Sequence, residues 1–444
     1  MEMITVDGKA TESATRGQLS VLRSLGALGN DGQASANLVG IWDLPAGCRR
    51  PQVGDAWWRL VEAHESLRTT FNAFHGHDTV PTQTVHQVTP VPLEVVDLAE
   101  AGKDAVSSVA ASASAEAFDI RSGLPWRARI VTSAQTPRCL VVVVHHAAAD
   151  NAALGILGRQ FLDLLGGGEL PRQPQPQELA RLEKTQADAS ESAVEHLTDA
   201  WPGFLSEDRR TDDHSVRRRA EVYSAEALKA VHEISSRSRV SLQSAVFAAG
   251  VVALARVTGR TTFTFSLMAA NRLDQRWSQL ISSLNQCAPL TVSVDEDAPV
   301  DSYIRSNYYA CLQAYMHGAY DVDALRRRLR TQGIETDPTF FAKHFNFLGD
   351  MEEEPPSDAM IRSVVSTRYS KQRSGPNLHL VTAVGEGLYI GVGASEDLLP
   401  GDRAALVAAG TEAALISMAR CGDGPLNAVS TRPVRPVEAA PPKR

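Results

Sequence analysis

The chain is poor in cysteine and has no cysteine pair. Five cysteines are scattered among 444 residues, and no C-x-x-C motif occurs. An odd number of isolated cysteines argues against a disulfide framework, so we expect reduced thiols in the cytoplasm. We also expect no bound metal.

Long apolar runs and an excess of positive charge are also absent. The N-terminus, M-E-M-I-T-V-D-G-K, does not resemble a signal peptide. No run of about 18 apolar residues is present to span a membrane. The net charge is −8, from 52 acidic and 44 basic residues, which argues against a general nucleic-acid binder. We therefore expect a soluble monomer that binds neither nucleic acid nor a membrane.

Length and composition predict a globular protein of two lobes. Hydrophobic residues make up 43% and charged residues 22% of a chain too long for one ordinary core. The composition changes at a triple glycine, which a Pro/Gln-rich stretch follows. We predict an N-terminal lobe over 1–165, a linker region over 166–218, a C-terminal lobe over 219–430 and a disordered Pro-rich tail over 431–444.

The most informative stretch joins a predicted buried strand to a pair of histidines. Val141 to Val144 form a β-branched apolar run, which ends at His145 and His146. Asp150 lies four residues beyond the second histidine, and a segment with helical spacing follows Asn151. A rigid strand that opens into a loop suits catalysis, and imidazole transfers protons near neutral pH. Because neighbouring strand residues point to opposite faces, only one histidine can face a given cavity.

These residues, H-H-A-A-A-D-N, resemble the H-H-x-x-x-D-G motif of condensation domains from nonribosomal peptide synthetases. Such domains belong to the chloramphenicol-acetyltransferase-like superfamily. Further matches occur in the family's order: A-H-E-S-L-R-T-T-F over 63–71 resembles R-H-E-x-L-R-T-x-F, and F-D-I-R-S-G-L-P-W-R resembles F-D-L-x-x-G-P-L-x-R. The segments 270–272 and 280–292 resemble the G-R … I-G-x-F-V-N-T region. The resemblance covers about residues 15 to 425.

The resemblance implies an α/β (α+β) fold of two chloramphenicol-acetyltransferase-like lobes in a V-shaped pseudo-dimer with a tunnel between them. It also implies acyl transfer without a covalent enzyme intermediate. His146 would accept the proton of the nucleophile or hold the nucleophile in place, and His145 would brace the loop. Asp150 would pair with Arg272 across the lobe interface. The remaining expected support residues are Arg68 and Asn285.

The chain departs from the family pattern at Asn151, where the motif has glycine. Glycine permits unusual backbone conformations, and asparagine tolerates a left-handed φ better than most residues. The asparagine side chain would either crowd the tunnel or contribute a hydrogen bond. Asn271 also replaces a glycine of the pattern, and Ser283-Leu284 replaces Phe-Val.

The sequence shows no adenylation-type segment and no carrier-protein signature, so the resemblance implies a free-standing condensation enzyme of antibiotic or other secondary metabolism. Its donor would be a thioester on the phosphopantetheine of a separate acyl- or peptidyl-carrier protein. The acceptor would be a small-molecule amine or alcohol, and the chain itself would bind no cofactor. Candidate docking cations are Arg127, Arg129 and the run Arg326 to Arg328.

Two other functions stay open. One is a catalytically silent condensation-like module that recruits a partner. The other is a stand-alone O- or N-acyltransferase that uses a soluble acyl thioester.

Overall fold

A computed structural model describes residues 8–26, 34, 37–72, 79–206, 216–339, 341–350, 366–369 and 376–434. The described chain contains both helices and strands throughout its length. The helices are α1 (Arg16–Gly26), α2 (Arg50–Ala63), α3 (Lys103–Ser114), α4 (Asn151–Leu165), α5 (Pro176–Thr185), α6 (Ala187–Ala200), α7 (Ala225–Ser238), α8 (Leu242–Thr258), α9 (Val300–Met316), α10 (Val322–Thr331) and α11 (Arg403–Cys421).

The strands are β1 (Gly8–Ser13), β2 (Asn37–Asp43), β3 (Thr69–Asn72), β4 (Thr82–His86), β5 (Glu94–Leu98), β6 (Trp126–Ser133), β7 (Thr136–His145), β8 (Arg217–Ser224), β9 (Thr262–Ala269), β10 (Gln286–Ser293), β11 (Lys343–Asp350), β12 (Ser366–Tyr369), β13 (Leu378–Val384) and β14 (Leu388–Ser395). Helix and sheet are therefore mixed throughout, as the sequence predicts.

The chain divides into two compact units whose segments interleave along the sequence. Unit 1 comprises 1–194, 270–286 and 319–333, and unit 2 comprises the remainder. The sequence prediction assigned the whole of 219–430 to one C-terminal lobe. Two stretches of that range belong to unit 1 instead, because Arg272 and Asp323 have their charge partners, Asp150 and Arg23, in unit 1.

Unit 1 contains a four-stranded sheet in which β7 is an inner strand. The strand order is β2-β7-β6-β5. β7 pairs antiparallel with β2 and β6, and its residues from Cys139 to His145 are all buried. A second sheet, in the order β1-β4-β3, lies in the same unit. The four-valine run is therefore a buried strand that stops at the first histidine, as predicted.

Helices cover both faces of the β7 sheet. On one face, α2 and α4 contribute Trp57, Leu60 and Leu157 to a core with Val142 and Val144. On the other face, α3 packs Val106 and Ala110 against Val141. The alternating valines thus bury both sides of the strand, which accounts for its continuous apolar sequence. This burial fixes the end of β7, where the two histidines lie.

Unit 2 is built on a seven-stranded sheet in the order β10-β9-β11-β13-β14-β8-β12. Helix α8 is buried in its core, begins after the cap Ser241 and ends at Gly259 in the left-handed conformation. Ser224 caps α7 by accepting a hydrogen bond from the Ala227 N–H. Serine is a preferred N-cap residue and glycine suits a left-handed position after a helix, which accounts for these helix ends.

Helix α11 is long and apolar enough to span a membrane by length and composition, which the sequence prediction overlooked. However, 72% of the most apolar 18-residue stretch of this helix is buried inside the protein. Burial against the sheet of unit 2 accounts for this apolar surface, as in the core helix of a large domain.

The region predicted as a linker, 166–218, contains helices α5 and α6. Of the predicted disordered tail, 435–444 lies outside the described residues. All five cysteines lie within the described residues, and none of them forms a disulfide.

Helix α1 packs unusually close to a loop of unit 1. A Cβ atom placed on Gly17 would lie 2.3 Å from the Ser283 carbonyl oxygen and 2.6 Å from the Leu284 Cα. Both neighbours are backbone atoms, so they cannot rotate away. Gly17 is therefore required by the contact between α1 and the loop at Ser283, and sequence patterning gave no sign of this requirement.

We predict that Gly17→Ala destabilises the protein by about 1–3 kcal/mol, the usual range for overpacking a buried contact. Gly54→Ala in α2 is the matched control, since a Cβ there meets no atom within 4 Å. That control should stabilise by about 0.4–1 kcal/mol through lower entropy of the unfolded chain. Urea unfolding of both variants measures the difference, and equal stabilities would contradict the close contact.

Candidate active site

His145, the last residue of β7, is a buried neutral histidine. Its side chain is 3% exposed and its ring stands edge-on to Phe118. Its Nδ1 accepts a hydrogen bond of 3.1 Å from the Ala147 N–H, which shapes the turn after the strand. Burial, with a smaller contribution from His146, lowers the pKa of His145 from 6.5 to about 3. Burial therefore favours the neutral ring, and its Nδ1 is occupied by the turn.

His146 has a different environment one residue later. It lies in the turn after β7 and is half-buried. Its Nδ1 lies 3.4 Å from the Ser283 Oγ. Among the described residues, Ser283 is the hydrogen-bond partner of the His146 ring. The two adjacent histidines are thus divided between a buried and an accessible position, although His146 lies just beyond the strand and not within it.

Asp150 is buried and holds three donors. Its Oδ1 accepts from the Ala153 N–H at 2.8 Å, which caps the N-terminus of α4. The same oxygen accepts from Arg272 Nη2 at 2.8 Å, and Oδ2 accepts from the Leu284 N–H at 3.0 Å. The carboxylate therefore joins the motif loop to the segment 270–286 by charge-assisted hydrogen bonds.

The predicted ion pair between Asp150 and Arg272 is confirmed. The side chains are 4% and 10% exposed, respectively. Arg272 also donates through Nη1 to the Leu280 carbonyl at 2.8 Å and through Nη2 to the Ser282 carbonyl at 3.1 Å. The pair lies within unit 1, however, and not across a lobe interface as the resemblance implied. Arg272 thus folds its own loop around the guanidinium group.

Two asparagines replace glycines of the family pattern, and only Asn271 has a left-handed backbone. Asn151 is the first residue of α4, with an exposed side chain and no positive φ. The expectation of an unusual backbone there is wrong, because Asp150 already ends the loop as a helix cap. Asn271 instead has φ 51°, and its Nδ2 donates to the Leu284 carbonyl at 2.9 Å. Asparagine is one of the few residues that tolerate this conformation.

The segment 63–71 contacts the motif loop and the elements next to it. Ser66 Oγ donates to the Ala148 carbonyl inside the motif loop. His64 Nε2 lies 2.6 Å from Gln160 Oε1 on α4, and Arg68 donates to the His86 carbonyl at 3.0 Å. Arg68 thus contacts the backbone of β4 and not the histidine pair. The contact of Ser66 with the loop was missed, since serine stands at an unspecified position of the motif.

A second buried ion pair was not predicted from the sequence. Arg23 on α1 donates through Nε and Nη2 to both carboxylate oxygens of Asp323, at 2.9 and 2.7 Å. The two side chains are 1% and 6% exposed. This bidentate pair attaches α10 to α1 within unit 1, and a separation of 300 residues gives it no sequence signal.

Most of the arginines proposed as docking cations already contact other residues of the chain. Arg326 is 3% exposed and lies 3.6 Å from Asp323, so it is not a surface cation. Arg328 pairs with Glu191, Arg129 pairs with Glu94, and Arg127 lies over the Phe118 ring. Arg327 is exposed.

Asn285 is connected to His146 by the side chain of Ser283. The Ser283 Oγ donates to Asn285 Oδ1 at 2.9 Å. The structure thus brings His145, His146, Asp150, Arg272 and Asn285 together in unit 1. Among the residues the structure describes, no three His, Cys, Asp or Glu side chains form a group that would hold a metal ion.

The geometry and the family comparison identify the same class of protein. The profile of the condensation domain matches residues 31–392, which include the histidine pair, Asp150 and Arg272. The chain belongs to the condensation-domain family.

Relatives and solved structures agree. One of the plipastatin synthase proteins of Bacillus subtilis (strain 168) is 24% identical over 342 residues, which cover 74% of this chain and 13% of that protein. The chain thus spans about an eighth of that protein's length. The condensation domain of the monacolin K polyketide synthase MokA matches with a TM-score of 0.76 at 16% identity, over 94% of this chain and 99% of that one.

The X-domain of teicoplanin biosynthesis, solved as a complex with OxyB, matches with a TM-score of 0.72 at 17% identity. The match covers 97% of this chain and 98% of that one. These structural likenesses establish the fold.

We predict that losing one member of the Asp150–Arg272 pair costs about 3–5 kcal/mol, because the other charge stays buried without a partner. The variants are Asp150→Asn, Arg272→Met and the double variant, whose unfolding free energies form a double-mutant cycle. Asp274→Asn is the control, since it breaks an exposed ion pair with Arg276 and should leave stability nearly unchanged. Additive effects of Asp150→Asn and Arg272→Met would contradict a direct coupling.

Proposed function

We propose that the chain catalyses condensation between a thioester-activated acyl or aminoacyl donor and an amine or hydroxyl acceptor. The observation that supports this most strongly is the division between the two histidines at the end of β7. His145 is buried and hydrogen-bonded to its own turn, whereas His146 is accessible. A base must be reachable by its substrate and must be held still, and His146 satisfies both requirements.

The reaction moves one proton in two steps, from the acceptor to His146 and then from His146 to the leaving thiolate, and it needs no covalent enzyme intermediate. The acceptor nitrogen or oxygen attacks the thioester carbonyl carbon while its proton passes to His146. The C–S bond then breaks, and the leaving thiolate takes the proton from His146. Asp150 plays no part in this transfer, because both its oxygens accept hydrogen bonds from other groups. We assign Asp150 and Arg272 to holding the loop.

The donor is proposed to arrive on the phosphopantetheine of a carrier protein, the form of substrate that condensation domains use. The chain itself needs no bound cofactor for this chemistry. Because none of the five cysteines forms a disulfide, we place the reaction in the reducing cytoplasm. Asn151 does not obstruct activity in this proposal, because its side chain is exposed on the first turn of α4.

We expect His146→Ala to reduce turnover by roughly 10² or more, the usual scale for a general base. Its melting temperature should stay close to that of the native chain, since the side chain is half-buried and has one long hydrogen bond. His145→Ala is the counterpart: it should lower the melting temperature, because the Ala147 N–H loses its acceptor. Full turnover by the His146 variant would exclude a proton-transfer role.

A donor comparison distinguishes the proposed enzyme from the two alternatives. The same acyl groups are offered on a carrier protein and on coenzyme A with a panel of amine and alcohol acceptors, and products are followed by mass spectrometry. We expect product mainly from the carrier-bound donor, and none with His146→Ala.

Equal or better use of coenzyme A would identify a stand-alone acyltransferase. No product from either donor, together with tight binding to a biosynthetic partner, would identify a silent recruitment module.

A further inference from the structure

A hydroxyl group and an amide lie in series behind His146. Ser283 is fully buried, and its Oγ lies 3.4 Å from His146 Nδ1. The same Oγ donates a hydrogen bond of 2.9 Å to Asn285 Oδ1. Ser283 occupies a position where the family pattern has an apolar residue, so this contact is a property of this chain.

We propose that Ser283 is a positioning residue that selects the tautomer of His146. A hydroxyl has one proton, and Ser283 gives that proton to Asn285. Its lone pairs remain for His146, so the Nδ1 of His146 carries the N–H that Ser283 accepts. A neutral imidazole has one N–H, and Nε2 is therefore left with the lone pair.

The catalytic consequence of this tautomer rests on the proposed function. A base accepts the acceptor's proton only through a nitrogen that bears a lone pair, and Nε2 is the nitrogen that faces away from Ser283. When Nε2 takes the proton, the ring becomes an imidazolium whose Nδ1–H stays bonded to Ser283. In hydrolytic triads a carboxylate holds the histidine in its correct tautomer. Here a neutral serine and asparagine take that place.

Asp150 is not available for this task, although it is the nearest acid in sequence. Its two oxygens are occupied by Ala153, Arg272 and Leu284. Those bonds instead fix the backbone that holds Ser283. The Leu284 N–H is bound by Asp150, and the Leu284 carbonyl accepts from Asn271. Gly17 lets α1 pack directly against the Ser283 carbonyl. The serine is therefore held on a rigid backbone, which orienting a ring requires.

The test is nitrogen NMR on the full chain labelled with ¹⁵N-histidine. Ring ¹⁵N shifts distinguish Nδ1–H from Nε2–H, and the His146 signals are those absent from His146→Gln. We expect the Nδ1–H tautomer to dominate in the native chain. Ser283→Ala should lose that preference, and Ser283→Thr, which keeps a hydroxyl, should retain more of it.

Ser282→Ala is the matched control, because the buried Ser282 hydroxyl has no hydrogen-bond partner among the described residues. It should leave the tautomer unchanged. With whichever acyl donor the native chain uses, Ser283→Ala should lower kcat roughly 3- to 10-fold, the factor expected for one hydrogen bond, and change KM less than about twofold.

A dominant Nε2–H tautomer in the native chain would overturn the proposal, even if Ser283→Ala failed to fold. So would identical tautomer populations in Ser283→Ala and Ser282→Ala. If the native chain makes no product from any donor, the proposed function fails, while the NMR result still decides the role of Ser283.

Discussion

The site depends on the carboxylate of Asp150. One oxygen caps α4 and binds Arg272, and the other binds the Leu284 N–H. Two segments that are distant in sequence are thereby fixed to one charged group: the motif loop with the first turn of α4, and the loop 270–286. Because the group is 3% exposed, each bond is made in a poorly hydrated environment where an absent donor is costly. These bonds account for the placement of the loop 270–286 in unit 1 together with the motif loop.

The two adjacent histidines differ in burial: His145 is buried, whereas His146 is half-buried. Desolvation disfavours the charged ring of His145, whose pKa falls to about 3. The strand ends at His145, and His146 lies in the turn that follows, where its ring stays accessible. The pair therefore needs no special residues to divide its roles. The end of a buried strand is sufficient, provided that the following turn is closed by a contact such as that between Ala147 and His145.

The local features of the fold were predictable from the sequence, and the contacts between distant segments were not. The four valines, the caps Ser224 and Ser241, and the pairing of Asp150 with Arg272 follow from pattern, capping chemistry and family motif. Gly17 and the Arg23–Asp323 pair are defined by neighbours far along the chain, so no local periodicity reveals them. Asn151 attracted attention because it replaces glycine in a motif. Asn271 also replaces glycine, and only the backbone shows that the left-handed residue is this one.

A buried ion pair is an inefficient way to stabilise a fold, because its desolvation offsets much of its attraction. Apolar residues of similar volume often do as well, so stability alone does not account for Asp150 and Arg272. Hydrophobic contacts, however, have no direction, whereas hydrogen bonds do. Arg272 binds the carbonyl of Ser282, and Asp150 binds the N–H of Leu284, on either side of Ser283. The pair thus fixes the orientation of Ser283, whose hydroxyl reaches His146, a task that an apolar pair of the same volume does not perform.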